Sequence, residues 1–110
     1  MAKVHDLYGA TNFSMGEFRA EVEKVLGIKF NLHDSLYIGG DYFRAGELTG
    51  EKFVIQLNHF EFDGEPETAE PDYSDYPVIL QISSTDRGDD LRKKLGRVAG
   101  LEFLRRQYGK

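Results

Sequence analysis

The apolar period of this chain changes at Gly27, and no other feature restricts its fold as much. Before that glycine, Phe18, Val22, Val25 and Leu26 recur at the spacing of one helix face, leaving Arg19, Glu21, Glu23 and Lys24 to solvent. Ser14-Met15-Gly16-Glu17 reads as a capping box with Ser14 as N-cap, and Phe13 and Phe18 flank it as a hydrophobic staple. Gly27 suits the left-handed position that ends a helix, with Ile28 packing back on the last turn. Beyond it the period is two: Ile28, Phe30 and Leu32 alternate with Lys29, Asn31 and His33, as in a half-buried strand.

Strand signals then continue with no helix between them. Leu36 to Arg44 is aromatic and interrupted by Gly39-Gly40, which fits a tight hairpin turn, a bulge or the opening of a strand near Asp41. Ala45 to Gly50 reads as a turn, and Phe53, Ile55 and Leu57 alternate with Val54, Gln56 and Asn58. Val78 to Ser83 is apolar enough for a central strand. Thr85-Asp86 opens a second helix, acidic at its start (Asp86, Asp89, Asp90), basic toward its end (Arg92, Lys93, Lys94, Arg97) and ended by Gly100. Its buried stripe is Leu91, Leu95 and Val98, and Leu101 to Arg106 reads as a last short strand whose arginines guard an edge. The order α-β-β-β(-β)-α-β predicts an α+β fold: one domain over residues 1–110, a mostly antiparallel sheet of four to five strands, and both helices on one face. The expected core sets Phe18, Val22, Val25, Leu91, Leu95 and Val98 against Phe30, Phe53, Ile55, Leu80 and Ile82. A chain of 110 residues buries roughly two-thirds of its unfolded surface, enough for a core without staples.

The formal charge of −5 is local in origin. Glu61 to Tyr76 holds seven acids (Glu61, Asp63, Glu65, Glu67, Glu70, Asp72 and Asp75) and no lysine or arginine, while eight of the fourteen bases lie between Arg87 and Lys110. Pro66, Pro71 and Gly64 argue for an irregular acidic loop there. A connection of that length is more often functional than a shorter one, and Phe60, Phe62, Tyr73 and Tyr76 are residues that linkers avoid and binding hot spots favour. The expected recognition surface is therefore Glu61, Asp63, Glu65, Glu67, Glu70, Asp72, Tyr73, Asp75 and Tyr76. Aromatics accompanied by carboxylates rather than bases argue against direct nucleic-acid binding.

Catalytic and metal chemistry find little support. There is no cysteine, so thiolate nucleophiles, thiolate zinc sites and disulfides are excluded. His5, His33 and His59 are isolated, and Gly39-Gly40 lacks the spacing of a phosphate loop. Asp63, Glu65 and Glu67 alternate as calcium ligands sometimes do, but Pro66 interrupts them and the EF-hand pattern is not met. A solvated loop would not separate carboxylate pKa values for acid–base work. No cofactor, metal or catalytic residue is expected. The amino-terminal residues carry no apolar run and no long apolar stretch occurs elsewhere, so a cytoplasmic chain with no membrane contact is expected, in which the sequon at Asn12 is silent.

Gly39 to Arg44, Phe53 to Asn58, the acidic proline-containing loop, Tyr76 to Leu80, Ser84 to Arg87 and Leu101 to Arg106 together resemble the small bacterial immunity proteins of polymorphic or contact-dependent toxin systems. The resemblance implies a non-enzymatic cytoplasmic inhibitor that binds one cognate toxin domain. An acidic surface suits a nuclease toxin with a basic cleft, since it can mimic a nucleic-acid backbone and steer the encounter. Two alternatives belong to other classes: a small enzyme or ligand-binding domain using the surface around Tyr37, Asp41, Tyr42 and Arg44, and a general acidic adaptor.

Overall fold

A computed structural model describes residues 3–35, 40–47 and 50–109. Along the chain run β1 (Lys3–Ala10), α1 (Met15–Leu26), β2 (Asn31–Ser35), β3 (Gly40–Gly46), β4 (Lys52–Leu57), β5 (His59–Phe62), β6 (Glu65–Thr68), β7 (Val78–Thr85), α2 (Gly88–Leu95) and β8 (Leu101–Gly109). Six strands form one antiparallel sheet in the order β2-β3-β4-β7-β1-β8, and β5 and β6 form a separate two-stranded ribbon. The α+β class and the antiparallel sheet agree with the sequence reading; the strand count is six plus two rather than four to five. Gly39 lies outside the described residues, and Gly40 begins β3.

Local signals act as expected in α1. The Ser14 N–H donates to Glu17 Oε1 at 2.9 Å and the Glu17 N–H donates to Ser14 Oγ at 3.2 Å, which holds the Glu17 carboxyl below its ordinary range. Phe13 and Phe18 stack with centroids 5.8 Å apart, and Gly27 takes φ 68° at the C-cap. From this helix Phe18 and Val22, with Leu91 and Leu95 of α2, pack onto Tyr8, Ala10, Phe30, Phe53, Ile55, Leu80 and Ile82. Both helices thus cover one sheet face. Strand β2 begins at Asn31, so Ile28 and Phe30 pack from a non-strand lead-in.

The second helix is shorter than its sequence signals. It starts at Gly88, and Arg87 occupies the N-cap position without a side-chain cap bond. Thr85 ends β7 instead, its hydroxyl donating to Glu51 Oε2 at 2.6 Å and accepting from the Arg87 N–H at 3.2 Å. The helix stops at Leu95, before Gly100, and Val98 is buried from the following turn.

Strand β1, which the sequence reading missed, lies inside the sheet between β7 and β8. Its alternation is hidden because Asp6 through Ala10 are all buried, so both faces are covered there. Asp6 is accommodated by a two-bond pair with Arg106, Nε to Oδ1 at 2.8 Å and Nη2 to Oδ2 at 3.0 Å. A third bond, Arg106 Nη1 to Asp89 Oδ1 at 2.8 Å, ties the start of α2 to the same guanidinium, whose proton the two carboxylates hold above the usual range. The arginines of edge strand β8 are thus internal partners; Arg105 likewise pairs with Glu70.

Candidate functional site

The acidic segment is two structures rather than one loop. Its first half is the β5–β6 ribbon, paired His59 to Thr68, Phe60 to Glu67, Glu61 to Pro66 and Phe62 to Glu65. Asp63 and Gly64 form the two-residue turn at φ 55° and 80°, the positive pair a type I′ hairpin requires. Pro66 does not interrupt it. After the closing pair of a two-residue hairpin the next pair makes no hydrogen bond, so the N–H that proline lacks faces away from β5. Alternation puts Phe60, Phe62, Glu65 and Glu67 on one side of the ribbon and His59, Glu61, Pro66 and Thr68 on the other. Glu61, Asp63, Glu65 and Glu67 are exposed, and among the described residues none is in an ion pair; Phe62 is 37% exposed.

The second half is a strap that returns across the sheet face without helices. Pro71–Tyr73 make a turn of 3₁₀ helix, the Tyr73 hydroxyl donates to the Leu104 carbonyl at 3.2 Å, and Arg105 Nη1 meets Glu70 Oε1 at 2.9 Å. The Tyr76 ring lies on Gly9, where an added Cβ would come within 2.6 Å of it, so only glycine permits that seat. The Tyr76 hydroxyl donates to Glu102, and this carboxylate raises the phenol above its ordinary range.

Asn58 holds the base where ribbon and strap meet. Wholly buried, its side chain donates Nδ2–H to the Tyr73 carbonyl and accepts the Glu70 N–H at Oδ1, both at 2.9 Å. Its backbone N–H donates to Pro77 at 2.9 Å and its carbonyl accepts from Ala69 at 2.8 Å. His59 Nε2 donates to the Ser74 carbonyl at 2.7 Å, which leaves Nδ1 facing Thr68 Oγ1 at 3.1 Å. The strap reverses the expected burial at the end of β4: Gln56 and Asn58 are buried, whereas Leu57 is 42% exposed.

Of the nine residues expected to bind a partner, Glu61, Asp63, Glu65 and Glu67 project on the ribbon, and Asp72 and Asp75 are exposed on the strap. Glu70, Tyr73 and Tyr76 are engaged in docking the strap. Asn58 and the ribbon were missed; Asp63-Gly64, a favoured hairpin dipeptide, was the available signal. Of the alternative surface, Tyr37 lies outside the described residues, Tyr42 stacks on His33 with centroids 5.4 Å apart, and Arg44 lies beside Asn31 and Val54. Among the described residues no three His, Asp or Glu side chains are grouped to hold a metal ion, and no helix is long and apolar enough to cross a membrane. Comparison with protein-family models, curated proteins and solved structures finds no match.

Proposed function

We propose that this protein is an immunity protein: a non-enzymatic, cytoplasmic inhibitor that binds and neutralises a cognate bacterial toxin domain, with the β5–β6 ribbon as an acidic finger directed into a basic cleft. The observation that supports this reading is the ribbon itself. It holds Glu61, Asp63, Glu65 and Glu67 out on a two-stranded frame, with no internal cation drawing on them among the described residues. Carboxylates already ordered by strand pairing and an anchored base lose less entropy on binding than the same charges on a slack loop. Their field steers a basic partner, and the Phe60–Phe62 side supplies apolar area for retention. Tyr73 and Tyr76 then act by seating the strap.

The test is co-expression of the chain with the toxin domain encoded beside it, followed by stopped-flow association of the purified pair. Protection is expected. Replacing Glu61, Glu65 and Glu67 by glutamine should slow association at low salt by about tenfold or more and flatten its salt dependence. A toxin domain that stays active in the presence of excess protein, or an unchanged association rate, would overturn the proposal.

A further inference from the structure

The face of the six-stranded sheet opposite the helices differs in its side chains from the helix-covered one. Side chains alternate across a sheet, so with Tyr8, Phe53, Ile55, Leu80 and Ile82 committed to the helix layer, their neighbours on β1, β4 and β7 point the other way. The register aligns Arg44, Val54, Gln81, Leu7 and Arg105 in one row, with the pairs Lys52–Ser83 and His5–Gln107 beside it. Among the described strand residues that alternation directs to this face, Glu102 is the only carboxylate, and it already accepts from Tyr76. The strands themselves bring Arg44, Lys52 and Arg105 to this face, and its other acids belong to the strap that crosses it, Glu70, Asp72 and Asp75.

Over β7, β1 and β8 lies a groove of about 330 Å³ whose lining includes His5, Gln81, Ser83, Arg105, Gln107 and two acidic residues, Asp6 and the strap residue Glu70. This is the small end of ligand-sized clefts. Several of its side chains can donate hydrogen bonds. His5 Nδ1 accepts the Ser84 N–H at 3.1 Å, so the neutral imidazole carries its proton on Nε2 as a donor. The side chains of Gln81, Ser83 and Gln107 make no hydrogen bond to other described residues. Two amides, a hydroxyl, an imidazole N–H and a guanidinium provide more donors than the two oxygens of a carboxylate can use, whereas phosphate offers oxygens on several sides. Of its two acidic residues Asp6 is paired with Arg106, and Glu70 Oε1 sits 2.9 Å from Arg105 Nη1, in the position an external oxyanion would take.

We infer that this groove binds the phosphate group of a small phosphate ester, which competes with Glu70 for Arg105. The inference does not depend on the ribbon or on any toxin.

Inorganic phosphate is the first probe and acetate the comparison, each titrated at constant ionic strength into the full chain while the His5 ring and the Gln81 and Gln107 side-chain amides are followed by NMR. Saturable shifts with phosphate, and none with acetate, are expected. Glu70→Gln frees Arg105 and should tighten binding. Arg105→Gln should weaken it by about tenfold or more, the scale of one charge-assisted hydrogen bond. Because Arg105 also holds the strap, Gln107→Leu is the second variant; it leaves the Glu70–Arg105 pair intact and should weaken phosphate binding with the thermal midpoint retained. Shifts that do not saturate, an equal response to acetate, or saturation unaffected by Gln107→Leu and Glu70→Gln would overturn the inference.

Discussion

Asn58→Ala tests how the acidic excursion is held. The substitution removes the Nδ2–H bond to the Tyr73 carbonyl and the Oδ1 bond from the Glu70 N–H, both 2.9 Å long, at a wholly buried position. Each backbone group left without a partner there costs about 1–3 kcal/mol, less where water enters, so a total of about 2–4 kcal/mol is expected. For a chain of 110 residues that is a fall in thermal midpoint of roughly 8–16 °C. Asn58→Asp separates the donor from the acceptor. The carboxylate still accepts from Glu70, but it turns an oxygen lone pair toward the Tyr73 carbonyl and is charged in a buried site, which raises its folded pKa. A group with a raised folded pKa is tolerated below its unfolded value, about 3.9 for aspartate, and destabilises increasingly as pH rises through the folded value. Relative to Asn58→Ala, the aspartate variant should therefore be the more stable near pH 3–4 and the less stable at neutral pH. Thermal and denaturant melts read the global effect, and amide exchange reads protection over residues 69–77. Melting within 2 °C of the parent together with unchanged exchange in the strap would refute the clamp.

Three further outcomes follow from the packing. Leu95→Ala should cost about 2–4 kcal/mol and Val22→Ala somewhat less, through lost burial and the cavity left under each helix, read by denaturant melts. Gly9→Ala should displace the Tyr76 ring, since the new methyl would meet it at 2.6 Å, and the break of its bond to Glu102 should appear as a fall of the phenol pKa toward the ordinary tyrosine value. Arg87, through its hydrogen bonds, holds the Glu51 carboxyl below its usual range, so this pair adds stability above the unfolded glutamate value of about 4.3 that is lost as pH falls through the depressed folded value. Glu51→Gln should flatten the stability–pH curve in that acid window, as measured by urea melts.

What was legible in the sequence was what short stretches of chain decide alone. Helix α1 was readable because Ser14 with Glu17, Phe13 with Phe18, and Gly27 with Glu23 each act within about a turn and a half of chain, and β4 and β7 were readable as strands from their apolar content. The Asp63-Gly64 turn was equally local and was overridden by the two prolines. Its Pro66 is harmless only because it falls at a non-hydrogen-bonded pair, a matter of register. Strand β1 could not be recognised from its own residues: Asp6 looks like a break in a strand until Arg106, one hundred positions away, supplies both hydrogen bonds. Likewise, the composition of residues 61–76 set the charge, but tertiary structure divided it. The seat of Tyr76 on Gly9, the pair of Glu70 with Arg105 and the buried amide of Asn58 draw one half onto the sheet and leave the other half projecting. Helix and turn signals act through neighbours along the backbone. Burial of a charge, and exposure of an acid, depend on partners that only chain crossing brings within reach.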